Sequence, residues 1–399
     1  MTLSNPTGIE SNGGPFRVMV VDDSAVIRGM YTKTFEGDAE VRLVASAGNG
    51  ETALQMLGRQ DVDVIILDIE MPVMDGLTAL PKLLAIDSTV QVLISSTLSK
   101  RNAEISLSAL QLGAKDCVTK PSSTGEMTAA TDFKRDLVAK TKSLAARRRK
   151  IKNLPLPDGS AAPAAKPKLF AAEKKSQDPA KPQGGLLHAS TPPAPKEVVL
   201  RKLGPHRPEI LAVGSSTGGP NALFTFFKNL DPALNLPIVL TQHMPPNFTA
   251  ILAEHISKQT GWQAREAQNG DLLEPNKVLV APGDYHMTVV VDENGRKTIR
   301  LNQDAPESFC RPAVDPMLRS LVQVYGGKVL MVMLTGMGSD GLLGSRKLID
   351  AGGTLIAQDE ATSVVWGMPG AVAQAGLCHA VLPLEQITGQ IQRIMKGPR

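Results

Sequence analysis

Three polar residues of this chain each end an apolar run and fall in a turn rich in glycine or proline. They are Ser216 in EILAVGSSTGG, His243 in PIVLTQHMPP and Asp340 in KVLMVMLTGMGSDG. A serine hydroxyl is a weak nucleophile near neutral pH; it needs a base within hydrogen-bond reach that a third group holds in place. His243 would accept the Ser216 proton, Asp340 would orient and stabilise the imidazolium, and glycine-exposed amides near Met337 would bind the developing oxyanion. The reaction class is acyl transfer. Two other histidines, His255 inside a helical pattern and His286 after APGDY near a hairpin, are not excluded as the base by spacing alone. Gly214 to Gly218 also fits G-x-S-x-G, but the order serine, histidine, aspartate is not that of the α/β-hydrolases. GSSTGGPN lacks the lysine of a P-loop and the GxGxxG of a dinucleotide site, which argues against phosphate binding there.

A second set lies nearer the N-terminus. Asp22 and Asp23 end RVMVVDDS, Asp68 ends VDVIILD, Ser95 ends VQVLIS and Lys120 ends DCVTK. Three carboxylates brought together repel one another and invite a hard, oxygen-preferring cation, of which Mg²⁺ is the natural candidate. With the repulsion offset, Asp68 could attack a phosphoryl group while Lys120 and Ser95 hydrogen-bond its oxygens.

Both sets require the same kind of scaffold. Residues 16–138 alternate five short apolar runs with helical patterns, which reads as α/β: a doubly wound, five-stranded parallel sheet with helices on both faces. Residues 208–396 alternate in the same way and are expected to form a second α/β domain with a mostly parallel sheet. Sites in such sheets form beyond the carboxyl ends of strands, where both polar sets fall. Pro220 near the start of PNALFTFFKNL puts Ser216 at a helix entrance.

With 399 residues the chain exceeds one typical core. Residues 1–15 read as a disordered leader with neither the basic start nor the apolar stretch of a secretory signal. Residues 139–207, with RRRK at 147–150 and then PLPDGSAAPAAKPK and TPPAPK, read as a basic, Pro/Ala-rich linker that cannot bury enough apolar area to order itself. RRRK could also contact nucleic acid, yet no helix-turn-helix pattern follows it, so no nucleic-acid partner is expected. No apolar run approaches the roughly 20 residues of a membrane helix. Cys117, Cys310 and Cys378 lie far apart without paired spacing, as free thiols of a reducing cytoplasm would.

VVDDS, LDIEMPVMDG and TKP resemble the acid pair, phosphoacceptor turn and lysine–proline of two-component receiver domains. GSSTGGP, TQHMPPNFT, APGDYHM, LTGMGSDG and VVWGMPGAV resemble, in order, the catalytic domain of the CheB family, the chemotaxis protein-glutamate methylesterases. The resemblance implies phosphoryl transfer from a histidine kinase of a chemosensory array to Asp68. It also implies Mg²⁺ held by Asp23, Asp68 and the Glu70 carbonyl beside Asp22, and a switch at Ser95. For the second domain it implies a Ser216, His243 and Asp340 triad with the Met337 backbone at the oxyanion, and no cofactor for the ester reaction. The implied substrates are glutamate γ-methyl esters, and receptor glutamines, on methyl-accepting chemotaxis receptors, approached from the cytoplasm without membrane insertion. Three departures stand out: Cys117 replaces a common aromatic switch residue, Ser215 replaces a common alanine, and the linker is long.

Overall fold

The computed structural model describes residues 13–120, 127–157 and 198–397, without side chains at 127–130 and 132. The expected leader lies almost wholly outside these residues, as do Pro121 of TKP and linker residues 158–197. Among the described residues no helix is long and apolar enough to cross a membrane.

The first domain runs β1 (Phe16–Val21), α1 (Ala25–Glu36), β2 (Val41–Ala47), α2 (Gly50–Leu57), β3 (Val64–Asp68), α3 (Gly76–Ile86), β4 (Gln91–Ser96), α4 (Lys100–Gln111), β5 (Asp116–Thr119) and α5 (Met127–Ile151). Its five strands pair in parallel in the order β2-β1-β3-β4-β5. Every residue of β3 and β4 is buried, so neither strand has a solvent-facing side, as a sheet covered by helices on both sides demands. The reversal of strand order beside β1 and β3 brings Asp22, Asp23 and Asp68 to one end.

The second domain continues with β6 (Ile210–Ser215), α6 (Gly219–Asn229), β7 (Ile238–Gln242), α7 (Phe248–Thr260), β8 (Gln263–Glu266), β9 (Lys277–Val280), β10 (His286–Val291) and β11 (Lys297–Asn302). It ends with α8 (Val314–Tyr325), β12 (Val329–Met333), α9 (Leu342–Asp350), β13 (Thr354–Gln358), α10 (Met368–Gln374), β14 (Ala380–Leu382) and α11 (Leu384–Lys396). Seven strands form one parallel sheet in the order β14-β13-β12-β6-β7-β9-β8, and β10 and β11 make a separate antiparallel hairpin. The strands that deliver Asp340, Ser216 and His243, namely β12, β6 and β7, are therefore immediate neighbours at its centre.

The domain edge drawn at residue 139 falls inside α5. That helix continues to Ile151, and its basic half is a receiver element rather than linker. Arg148 is fully buried; its guanidinium meets Asp61 at 2.5 Å, Asp63 at 2.7 Å and Asp87 at 2.7 Å. Arg149 donates to Asp63 at 3.3 Å and to the Gly14 and Pro15 carbonyls, while Lys140 reaches Asp116 at 3.2 Å. Composition could not reveal this because the acids that neutralise the arginines come from distant loops. Residues 198–207 likewise lie on the second domain: Arg201 N–H donates to the Cys378 carbonyl and Gly204 N–H to Thr354 Oγ1.

The two domains touch. Asn221 Nδ2 of α6 donates to the Leu110 carbonyl of α4 at 2.8 Å, and Asn247 Nδ2 donates to the Leu98 carbonyl at 2.7 Å. From α5, Arg147 donates to the Ser363 carbonyl, and Lys150 pairs with Glu360. Arg148→Met leaves Asp63 buried beside fewer cations, and about 3–5 kcal/mol of receiver stability should be lost. Urea unfolding of the whole chain checks this; an unchanged first transition would mean that Arg17 and Arg149 alone suffice.

Candidate active site

Ser216 is the residue beyond β6 and His243 the residue beyond β7. The two strands run side by side, with the His243 N–H donating to the Ser215 carbonyl at 3.1 Å. Gly218 takes φ 77°, and Gly219 packs so tightly that a Cβ there would lie 1.9 Å from Gln242 Oε1. Only glycine permits that turn. It leaves Ser216 at the entrance to α6, as expected from Pro220.

The two adjacent serines are separated by their partners. Ser215 is fully buried and donates to Gln242 Oε1 at 2.6 Å. Ser216 Oγ has no hydrogen bond among the described residues, whereas its backbone is fixed: its N–H donates to the Thr335 carbonyl at 3.0 Å, and its carbonyl accepts from Gln242 Nε2 at 3.0 Å. Gln242 also donates to the His243 carbonyl at 3.2 Å, so one side chain ties the serine and histidine turns together.

Asp340 reaches the same rim on the loop that follows β12. Its Oδ2 lies 2.8 Å from His243 Nε2 and accepts from the Val314 N–H at 2.5 Å. Its Oδ1 accepts from the N–H groups of Asp315 at 3.1 Å and Gly341 at 2.8 Å. The Val314 and Asp315 amides open α8, so the partial positive charge of a helix N-terminus is spent on this carboxylate. Burial opposes the charge of Asp340, but these bonds and His243 outweigh it and hold the carboxyl below its usual range. Asp315, next to it, moves the other way, pushed up to about 6 by burial and by the charge of Asp340.

Burial would depress His243, yet its contacts with Cys310 and Asp340 prevail and raise it well above 6.5. Asp340 occupies Nε2, which leaves Nδ1 as the nitrogen to take a serine proton. No hydrogen bond joins Ser216 Oγ to His243 in this arrangement. Such bonds often form only with substrate in place. The Met337 N–H donates to no acceptor among the described residues, so an amide is free beside the serine.

The other histidines are placed elsewhere. His255 lies on α7 against Gln111 of the receiver. His286 is buried, with Nδ1 accepting from the Ala313 N–H at 3.2 Å and Nε2 against the Ala305 carbonyl at 3.1 Å; it braces the start of α8. Sequence reasoning missed Gln242 and Thr335, although both sit inside the motifs that flagged the site. The strap at residues 359–368 is flagged only in part, by the motif VVWGMPGAV, and without a role. There Val365 exchanges hydrogen bonds with Thr335 Oγ1, and the N–H groups of Gly367 and Met368 donate to the Gly336 carbonyl.

In the receiver, oxygens of Asp22, Asp23 and Asp68 lie within 4.8 Å of one another. Lys120 Nζ stands 2.8 Å from both Asp22 Oδ2 and Asp68 Oδ2. Burial opposes the ammonium charge of Lys120, but the two carboxylates raise its pKa; Asp68 is itself raised, by burial first and then by Asp22. Glu70 is exposed in the turn after β3, and Arg101 lies 3.6 Å from its carboxylate. Ser95 is buried with its hydroxyl bonded to Tyr31 Oη. The Cys117 thiol is buried and pushed up to about 12, by burial and then by Asp116.

If His243 is the base, kcat/KM must rise with pH as the imidazolium loses its proton, with a midpoint above 6.5. Asp340→Asn should lower that midpoint as well as the rate, because it removes an anion that favours the protonated ring. A midpoint at or below 6.5 in the unaltered chain would contradict the assignment.

Residues 211–391 match the CheB methylesterase family and residues 18–132 match the response regulator receiver domain. The chain is 50% identical over 379 residues to protein-glutamate methylesterase/protein-glutamine glutaminase 1 of Paramagnetospirillum magneticum, covering 95% of this chain and 96% of that one. It is 52% identical over 400 residues to the enzyme of the group 2 operon of Rhodospirillum centenum, covering 98% and 96%. The crystal structure of the Thermotoga maritima CheB methylesterase catalytic domain aligns at 39% identity with a TM-score of 0.45, over 46% of this chain and 97% of that one. Half-identity along nearly the whole length, with both domains in the same order, makes this chain a member of the CheB methylesterase family that carries a response regulator receiver.

Proposed function

We propose that this chain hydrolyses glutamate γ-methyl esters on methyl-accepting chemoreceptors, releasing methanol, and deamidates receptor glutamines at the same site. Phosphorylation of Asp68 would raise its activity. The observation that carries this reading is the buried His243–Asp340 pair at the strand end next to Ser216, in a chain whose relatives are named for both reactions. In the reaction Ser216 Oγ attacks the side-chain carbonyl and passes its proton to His243 Nδ1. The Met337 N–H takes the oxyanion, and the methoxy oxygen or the amide nitrogen takes the proton from His243 and departs as methanol or ammonia, leaving the acyl group on Ser216. Water, activated by the same nitrogen, then releases the glutamate.

In the receiver, the oxygen-only donor set of Asp23, Asp68 and the Glu70 carbonyl, beside Asp22, suits Mg²⁺. When bound, the ion would neutralise the carboxylates and the incoming phosphoryl oxygens. Asp68 would take the phosphoryl group from the histidine kinase of a chemosensory array. Lys120 would then turn from its two aspartates towards the phosphate, and Ser95 would exchange Tyr31 for a phosphate oxygen. The enzyme would act in the cytoplasm, beside membrane receptor arrays.

Ser216→Ala should lower methanol release from methylated receptor by about three orders of magnitude or more, while Ser215→Ala should be mild. Retained turnover in the Ser216 variant would move the nucleophile to its neighbour. Asp68→Asn should leave the unstimulated rate in place and abolish stimulation by acetyl phosphate. Stimulation that survives the substitution would place the phosphoacceptor elsewhere.

A further inference from the structure

We propose that Phe309 is the residue through which the esterase grips its protein substrate, and that Arg135 of the receiver occupies one face of its ring while the domains are docked. The inference rests on the receptor-directed reading above and names a substrate contact beyond the reacting atoms.

Phe309 lies at the tip of a turn between α8 and the β10–β11 hairpin. Glu307 and Cys310 close that turn by exchanging backbone hydrogen bonds of 3.1 and 2.8 Å. Both tip residues take left-handed backbone angles, Ser308 at φ 51° and Phe309 at φ 63°. For a bulky side chain this conformation costs about 1–2 kcal/mol, and asparagine or glycine would make the same turn with less strain. Burial gives no return, because Phe309 is 74% exposed. The turn is nevertheless braced on both sides. Arg319 pairs with Glu307, and the Arg311 guanidinium donates to Asp284 at 2.6 and 3.0 Å and to the Gln303 and Asp304 carbonyls at 3.0 Å. An exposed aromatic held rigidly in an unfavourable conformation contributes little to folding. It is the arrangement expected of a contact made outside the chain.

Its place on the rim identifies the contact. The next residue, Cys310, reaches His243, and the segment after it supplies the Val314 and Asp315 amides that hold Asp340. A protein segment that presents a glutamate ester to Ser216 would then lie along the loop that carries the ring. On a helix, residues three or four positions from that glutamate share its face about 5–6 Å away. An apolar side chain there would meet Phe309, whereas a small ester has nothing to place against it. In the docked arrangement the ring is already engaged: the Arg135 guanidinium stands 4.0 Å from its centroid. Arg135 comes from the receiver helix α5, so a ring face stacked on the receiver is closed to the substrate.

The test compares the full-length chain with its Phe309→Ala, Phe309→Trp and Arg135→Gln variants on a methylated receptor fragment and on p-nitrophenyl acetate. Turnover of the receptor fragment by the unaltered chain tests the proposed function itself; the ratio of each variant to it tests Phe309. Phe309→Ala should raise KM for the receptor about tenfold or more, with a smaller change in kcat, and Phe309→Trp should restore most of it. The loss on the receptor should exceed the loss on p-nitrophenyl acetate by about fivefold or more. Arg135→Gln should raise the unphosphorylated rate on the receptor, and that gain should vanish in a Phe309→Ala background. An unchanged receptor KM in Phe309→Ala overturns the docking role. Equal losses on the two substrates overturn it as well, since the ring would then act through Cys310 on His243. A gain from Arg135→Gln that persists without Phe309 overturns the competition for that ring face.

Discussion

The carboxylate of Asp340 is almost wholly withdrawn from water, and an uncompensated charge in that position would cost several kcal/mol. Its compensation organises the domain around it. Three amides and one imidazole converge on its two oxygens. To supply them, α8 must begin where β12 ends, His243 must project from β7 across the end of β6, and the turn at Gly341 must be tight. Ser216 occupies the middle strand of the three, beneath the bond that joins the outer two. The supporting groups follow from this. His286 holds the Ala313 N–H so that α8 starts in register, and burial with the charge of Asp340 pushes the Asp315 carboxyl up to about 6.

The receiver solves a related problem in two places. At the carboxyl ends of its strands the clustered acids are left short of positive charge, with Lys120 shared between Asp22 and Asp68. That shortage suits a pocket meant to take a cation and a phosphoryl group. At the opposite end, Arg17, Arg148 and Arg149 hold Asp61 and Asp63 below the usual carboxylate range against the effect of burial, and Thr89, with Arg148 and Lys152, does the same for Asp87. One end of the sheet is electrostatically unfinished and the other is closed.

The domains meet on two surfaces with different relations to the triad. Helix α4 lies on α6 and α7, the helices that follow the serine and histidine turns, and Asn221 and Asn247 hold it there. Helix α5 reaches the strap at residues 359–368 through Arg147 and Lys150. Beyond Ser363, Val364 packs on the receiver core, and Val365 bonds to Thr335, whose carbonyl holds the Ser216 N–H. A change in receiver packing therefore has a short backbone path to Ser216.

Legible in the linear sequence were the two α/β domains and the strand ends that carry the polar residues, among them the expected triad and acid cluster. Those features are local: an apolar run followed by a polar turn reports a buried parallel strand and what it delivers. The choice among three histidines was not local. His243, His255 and His286 are alike in spacing, and only strand order and helix placement set one against Asp340, one against the receiver and one beneath α8. The same reason explains α5. RRRK read as solvated linker because the acids that bury it lie more than 60 residues away in sequence at Asp61, Asp63 and Asp87. Phe309 drew no notice because a single aromatic in a polar loop carries no pattern; its strained backbone, its bracing and the guanidinium over its ring exist only in three dimensions. Pairing between segments distant in the chain is set by packing and buried charge, and linear composition records neither.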